Sequence, residues 1–406
     1  MTRPRLKILW LVHLDYHMAE AHGGNLRFFN YGKKLVSAGH DVYFLVRKRG
    51  SDDPVEKESH LNALKQQKII TDYFEIEYDR PRLRGKLGHL LFHPALTNRF
   101  LRKQQGPIID AIRKIITSKQ INLCICTSRD LLFVLPAIRK EVKTIVDWVD
   151  SYFLYHLRDA RLHLAEYRPD LALNSLRFLA DAFIEERYYG RHCAANLSVS
   201  SVDKRYLDFV NGNRVKNHIL LNGVEPQRTD GVVKIKNQII FSGNMDFPPN
   251  YKSAIWFIDH VFPLLKGRDV RLVIAGANPV KDLVARANED IEVTGYINDL
   301  RHEIARSELY VAPLICGGGF KNKLVEAIAS GTFVVATSMA VEFLGSRARN
   351  LLLVADTPQQ MADAIVAYFQ APQEFAANLE ALKKIIDEEF SWENRAREFV
   401  EIVCEA

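Results

Sequence analysis

The stretch APLICGGGFKNKLVEAIASGTFVVAT, residues 312–337, gathers more residues able to do chemistry than any other part of the chain. An apolar run ends at Leu314, three glycines (Gly317, Gly318 and Gly319) follow, and a helical pattern starts near Asn322. Glycines let a backbone come close to a phosphate, and the unpaired N–H groups and dipole of a helix N-terminus favour its negative charge. Lys321 and Lys323 add formal charge, so the segment reads as a phosphate cradle or, more plainly, as a surface loop. It is neither a Walker loop, which needs Gly-Lys-Ser/Thr, nor a Gly-x-Gly-x-x-Gly fingerprint. Glu326, one turn past Lys323, could accept two ribose hydroxyls, as acidic residues do in dinucleotide folds, or pair with Lys321 or Lys323 to stabilise the helix. Asp15, His17 and His22 are candidates to deprotonate an acceptor hydroxyl, with nothing in the sequence to rank them. No strand-end Asp-x-Asp motif and no His/Cys ligand spacing is present, so neither a metal nor a cofactor is expected.

Such residues need strand ends to hold them. KILWLVHL, then the helical pattern RFFNYGKKLVSAG closed at Gly39, then DVYFLVR read as strand, helix and strand, a parallel pair with a crossover. Further strands are expected at Leu123–Cys126, 144–149 and Ala195–Ser198, with a helical stretch over 131–141 and a long helix over 170–189. A second set opens with QIIFSG at 238 and continues with RLVIAG (271–276), IEVTG (291–295), LYVAPL (309–314) and FVVAT (333–337). The simplest reading is an α/β protein of two Rossmann-like, doubly wound units. The first spans 1–225, the second 226–389, and a C-terminal helix of about 390–406 packs back on the first. Ligands bind at the carboxyl ends of such strands, and two units facing each other would enclose a cleft.

The 406 residues are 48% hydrophobic, 26% charged and 10% aromatic, which excludes intrinsic disorder. Five cysteines, an odd number, fit a reducing compartment. The apolar stretch 8–12 is broken by His13 and Asp15 and is too short for a signal-peptide core. The window 121–138 contains Arg129 and Asp130 and cannot pass as a membrane span. A cytoplasmic protein is expected, with peripheral attachment to the inner face of the cell membrane as an option.

The net charge of +6 hides an asymmetry: 36 basic and 25 acidic residues up to position 225, then 19 and 24. A basic first half points to an anionic partner or to a solvated surface. Within it, Arg80, Arg82, Arg84, Lys86, Arg99, Arg102 and Lys103 mix with Leu83, Leu87, Leu90, Leu91, Phe92, Leu96 and Phe100. The segment 80–103 therefore suits an anionic membrane surface, or equally a helix that packs against its own domain. No nucleic-acid-binding module or aromatic platform accompanies the charge, so nucleic acid is not an expected partner.

The run Gly319-Phe320-Lys321-Asn322-Lys323-Leu324-Val325-Glu326-Ala327-Ile328-Ala329-Ser330-Gly331, followed by FVVAT, closely resembles the donor-binding signature of the large retaining glycosyltransferase family four (group 1). His22-Gly23-Gly24 with Arg27 resembles that family's N-terminal glycine loop, LLNGVE (220–225) its interdomain element, and FSGNMDFPPN (241–250) its first C-domain strand and loop. RLVIAGANP and VTGYINDL resemble the next strands, and FSWENRAREFV the closing helix. The resemblance covers nearly the whole chain, weakest over about 50–120 and 151–190, and is closest to sugar transferases associated with bacterial exopolysaccharide systems.

This resemblance implies a GT-B fold and retaining, metal-independent hexosyl transfer from a nucleotide-sugar co-substrate to a glycan or lipid-linked acceptor. It places the donor against Gly24, Gly243, Lys252, Gly317, Gly318, Gly319, Phe320, Lys321, Asn322, Lys323 and Glu326, and the acceptor against Asp15, His22, Gly23 and Arg27. Asp147 or Asp150, in IVDWVDSY at a strand end, would face the reacting sugar, or else cap a loop or pair with Arg158 or Arg161. Lys323 would stabilise the leaving phosphate. Front-face attack is implied, since no second carboxylate is evident for a double displacement. The chain departs from the pattern at Gly318, where the family often has a glutamate, and after the first C-domain strand, where a basic pair is reduced to Lys252. A nucleotide-sugar epimerase and a non-catalytic donor-binding assembly subunit are the alternative readings.

Overall fold

Consecutive apolar residues with no polar alternation must be covered on both faces, which is the situation of a central strand in a parallel sheet. The computed structural model describes residues 5–14, 23–48, 53–78, 94–225 and 231–405. Its N-terminal sheet contains β1 (Lys7–Leu11), β2 (Asp41–Lys48), β3 (Asp72–Glu77), β4 (Leu123–Cys126), β5 (Lys143–Val149), β6 (Ala195–Ser198) and β7 (Lys216–Ile219). These strands run parallel in the order β3-β2-β1-β4-β5-β6-β7. The C-terminal sheet contains β8 (Ile235–Ser242), β9 (Arg271–Ala275), β10 (Ile291–Gly295), β11 (Ser307–Ala312), β12 (Phe333–Ala336) and β13 (Leu353–Val354). Its order is β10-β9-β8-β11-β12-β13, again parallel throughout.

The sequence patterns located the central strands and missed β3, β7 and β13. All three lie at sheet edges. An edge strand has one neighbour and accepts polar residues, so DYFEIE and KNHI lack the apolar run that marks the centre. The expected helix over 131–141 is present only as a short turn and the helix Val134–Ile138.

Each sheet belongs to one unit: Met1–Leu221 with Arg395–Ala406, and Asn222–Asn394. The division falls four residues before position 225/226 because Asn222–Val224 is stitched to the second unit. Val224 N–H donates to the Phe390 carbonyl at 2.7 Å. Asn222 Nδ2 donates to Asn322 Oδ1 at 3.2 Å. A Cβ on Gly223 would stand 2.6 Å from the Trp392 ring, so the glycine of this element makes room for an indole. Residues 395–405 of the last helix (Trp392–Glu405) belong to the first unit, where Phe399 packs on Trp10 and Tyr31.

The first helix, Gly23–Ser37, ends as its sequence suggests. Gly39 turns with φ +88°, and His40 N–H returns to the Leu35 carbonyl at 3.1 Å, delivering the chain into β2. Four cysteines are buried free thiols and Cys404 is exposed. Among the described residues no helix is long and apolar enough to cross a membrane.

Candidate functional site

In an open parallel sheet the loops diverge where the strand order reverses, and that gap at the carboxyl ends is where ligands settle. The reversal lies between β1 and β4 in the first unit and between β8 and β11 in the second. The loops after β1 and β4 flank the first reversal and those after β8 and β11 the second; residues 15–22 of the loop after β1 lie outside the described residues.

In the second unit, backbone lies directly against backbone. A Cβ on Gly276, just past β9, would sit 1.7 Å from the Gly243 carbonyl oxygen just past β8. A Cβ on Gly243 would sit 2.6 Å from Asn250 Nδ2, and one on Gly317 3.0 Å from Pro249. Lateral hydrogen bonds close this rim: Gly243 N–H to the Ala275 carbonyl at 3.0 Å and Gly276 N–H to the Gly295 carbonyl at 2.9 Å. Gly317 and Gly319 take φ of +94° and +75°, a region open chiefly to glycine.

This glycine loop delivers the chain into the helix Asn322–Ala329, whose N-cap position, Lys321, supplies no side-chain cap. First-turn N–H groups of such a helix attract anions. Lys323 Nζ donates to Glu326 Oε2 at 2.8 Å, and Glu326 is 5% exposed. The pairing of Glu326 with a neighbouring lysine is thus present, with Lys323 as its partner. Tyr296, 68% exposed immediately after β10, is an aromatic face beside this rim that the sequence reading passed over.

In the first unit, a cavity of about 160 Å³ opens at the ends of β4 and β5. Thr127, Arg129, Asp147, Asp150, Trp148 and Tyr152 contribute to its wall. Charge holds it together. Arg27 grips Asp147 through Nε (2.8 Å) and Nη2 (3.1 Å), and donates through Nη1 to the Leu220 carbonyl at 2.8 Å. Both side chains are almost fully buried, at 2% and 1% exposure. Burial, the largest single influence, depresses the Arg27 pKa, but Asp147 with Tyr31 and Asp150 together outweigh it and the guanidinium is held above its ordinary value. Arg129 lies over the Tyr152 ring at 3.8 Å and pairs with Glu185.

Beneath this wall, Ser151 caps the helix Tyr152–Ala165 and donates through Oγ to Glu186 at 3.1 Å. Burial pushes the Glu186 carboxyl up to about 8, against the lowering effect of hydrogen bonds from Phe153 N–H and Ser151. Asp203 accepts Ser151 N–H at 2.9 Å. Between the two aspartates, Val149 holds φ +63°, a rare conformation for a β-branched residue.

The expected residues have different fates. Gly243, Gly317, Gly318, Gly319, Asn322, Lys323 and Glu326 belong to one rim, with Lys252 on the adjoining helix Pro248–Trp256. The Phe320 ring packs on Phe343 (4.6 Å) and Phe390 (5.7 Å) and so anchors the loop, which leaves its backbone N–H as the group it could offer a ligand. Lys321 lies in the same loop, with its Nζ donating to the Gly318 and Gly319 carbonyls. Arg27 is buried against Asp147, and the ion pair of Asp147 is with Arg27 rather than Arg158 or Arg161. Gly23 and Gly24 open the first helix. Asp15, His17 and His22 lie outside the described residues, as do residues 79–93 of the basic segment. Thr127, Arg129 and Tyr152 were missed; the signal was their place just after the apolar strands β4 and β5.

Comparison with known proteins agrees with this geometry. Residues 236–371 match the family model "Glycosyl transferases group 1". An uncharacterized 44.6 kDa protein in the cps region of Klebsiella pneumoniae is 26% identical over 165 residues, 38% of this chain and 41% of that protein, so the match spans about two fifths of the relative's length. A glycosyltransferase from Rickettsia africae superimposes with a TM-score of 0.66 at 16% identity, over 99% of this chain and 98% of that one. HepE of Anabaena, in complex with UDP, gives 0.67 at 14% identity over 99% and 100%. The matched family residues lie wholly inside the second unit and carry its glycine loop and Glu326. Most of the second unit therefore matches the group 1 glycosyltransferase family model, and the chain as a whole has the fold of the GT-B glycosyltransferases.

Proposed function

We propose that the protein transfers a hexose, with retention and without a metal ion, from a nucleotide-sugar donor to a glycan or lipid-linked acceptor in bacterial surface or exopolysaccharide synthesis. The observation that carries the reading is the glycine-built rim, with an uncapped helix N-terminus and the Lys323–Glu326 pair beside it. Helix amides and Lys323 neutralise the donor diphosphate and the charge that grows on it as the sugar leaves. Glu326 accepts the two ribose hydroxyls, and the exposed ring of Tyr296 offers a face to the base. The complexes of Anabaena HepE with UDP and with UDP-glucose favour a uridine donor, and the cps-region relative favours a polysaccharide product.

In the first unit, Asp150 and Arg129 supply hydrogen-bonding groups of both signs to sugar hydroxyls. Asp147 is a positioning residue, because Arg27 engages both of its oxygens. A carboxylate held in this way is a poor nucleophile, which supports front-face attack over a double displacement.

Calorimetric titration with UDP, GDP and ADP tests the donor assignment, with UDP expected to bind. Glu326→Ala should weaken that nucleotide about tenfold to a hundredfold, the worth of charge-assisted hydrogen bonds to two hydroxyls. Unchanged affinity would remove Glu326 from the ribose. Transfer that persists in EDTA with the donor's anomeric configuration supports the rest; isomerised free donor, or binding with no turnover of any nucleotide sugar, would replace it.

A further inference from the structure

We propose that the Phe247 ring stacks on the apolar face of the donor's transferred sugar, an inference that rests on the reading of the second unit as a nucleotide-sugar site. Two helices start at the strand-order reversal of this unit, Pro248–Trp256 after β8 and Asn322–Ala329 after β11. Their first turns differ in chemistry. The helix after β11 has no side-chain cap. The helix after β8 opens with Pro248 and Pro249, which carry no N–H. The next two N–H groups, of Asn250 and Tyr251, both donate to the Phe247 carbonyl, at 2.9 and 3.2 Å. Its first turn therefore has no backbone donor left to hold a phosphate.

What that end presents instead is an aromatic ring. Phe247, its N-cap residue, is 48% exposed. Exposed apolar residues scattered singly need no explanation, but Phe247 stands on a loop that is tied down along its length. Met245 is fully buried and its N–H donates to the Ala277 carbonyl at 2.8 Å. The Asn244 carbonyl accepts Asn250 Nδ2 at 2.9 Å and Phe247 N–H at 3.3 Å. The loop also lies on the glycine rim, since a Cβ on Gly317 would come within 3.0 Å of Pro249, two residues past Phe247. The two helix starts thus divide the donor: the one after β11 offers N–H groups to its charge, and the one after β8 offers a flat apolar surface. Hexose rings carry C–H bonds on their faces, and an aromatic side chain covers such a face while leaving the hydroxyl edge free for hydrogen bonds.

Calorimetric titration of the full chain and its Phe247→Ala variant with UDP, UDP-glucose, UDP-galactose and UDP-N-acetylglucosamine tests the proposal. The variant should bind at least one of the three sugar nucleotides about tenfold more weakly and bind UDP as before. Phe247→Trp keeps a flat face and should bind like wild type. Phe247→Leu keeps apolar area without a ring and should behave like the alanine variant, with melting temperatures equal throughout. If GDP or ADP is the nucleotide that binds, GDP-mannose or ADP-glucose takes the place of the uridine series. An equal loss for the nucleotide and its sugars, no loss for any sugar, or full binding by the leucine variant would each overturn the stacking. A chain that binds none of these nucleotides overturns the donor reading and this inference with it, whereas a bound nucleotide whose sugar forms ignore Phe247 overturns this inference alone.

Discussion

The two candidate sites are held by opposite means. The rim of the second unit is a close-packed structure, with Gly243 and Gly276 at strand ends where an added methyl group would collide and Gly317 in the next loop within 3.0 Å of Pro249. The cavity of the first unit is a charge structure, with Arg27–Asp147 and Arg129–Glu185 as ion pairs and Glu186 and Asp203 fixing Ser151 from below. A site made of close-packed backbone should tolerate changes in pH and refuse added volume. A site made of buried charge should do the reverse. Both lie at the carboxyl ends of parallel strands, so the contrast lies in how the geometry is enforced rather than in where it occurs.

The sharpest way to break the contrast is to remove one partner of the buried pair. Arg27→Met leaves Asp147 charged, 1% exposed and without its guanidinium, and should cost about 5 kcal/mol, read as a fall in unfolding temperature. The R27M/D147L double variant, which buries no lone charge, should recover much of that loss. If it is as unstable as the single variant, packing rather than charge holds the cavity.

Glu186 gives the next largest effect. An unfolded glutamate titrates near 4.5 and the buried one near 8, so between these values the folded state keeps a proton that the unfolded state has shed. Stability from this group is therefore greatest below about 4.5, declines as pH rises to about 8, and is flat beyond, a change on the order of 4 kcal/mol. Glu186→Gln has no such titration. Melting temperatures of the two proteins should diverge steadily from acid to pH 8 in favour of the glutamine variant, and parallel profiles would show that Glu186 is not held neutral.

For the second unit the matching experiment adds a methyl group. Gly276→Ala meets the Gly243 carbonyl at 1.7 Å with φ at +144°, and should cost about 3 kcal/mol together with nucleotide affinity. Gly106, inside a helix of the first unit, has open space beyond its chain neighbours, and Gly106→Ala, which gains helix propensity but crowds Pro107, should change stability by less than about 1 kcal/mol. Equal responses at the two glycines would dissolve the distinction.

The same contrast explains what could be read from the sequence. The rim is local: residues 312–337 hold strand end, glycine loop, helix start and Glu326 in one stretch, so residue types and spacing were enough to find it. The cavity is assembled from residues 27, 129, 147, 150, 152 and 185–186, and no spacing rule connects an arginine near the N-terminus with an aspartate 120 positions later. Asp147 and Asp150 were visible as polar residues at the end of an apolar strand, but their partners were not. Phe320 and Lys321 show the converse limit. Residue type did not tell where their side chains go, and only the fold shows the Phe320 ring packed on Phe343 and the Lys321 ammonium turned onto the loop's own carbonyls. Edge strands escaped for a third reason, since a strand with one neighbour needs no apolar run.

The smallest expected effect bears on whether the contrast is complete. Val149 lies between Asp147 and Asp150 with φ +63°, a conformation that costs a β-branched residue about 1–3 kcal/mol. Its surroundings leave it no choice: Val149 N–H donates to Asp147 Oδ1 at 3.2 Å, Val199 N–H donates to the Val149 carbonyl at 2.8 Å, and the β5–β6 register slips between Asp147 and Val149. Val149→Gly removes the strain and also adds freedom to the unfolded chain, so the two terms should leave a net stabilisation of at most about 1 kcal/mol. Val146→Gly, in the regular part of the same strand and 1% exposed, relieves nothing and should destabilise by about 3 kcal/mol. A gain at position 149 beside a loss at 146 would mean that the first unit, too, sets its carboxylates by backbone geometry. Losses of similar size at both positions would mean that the buried charges alone aim Asp150 into the cavity.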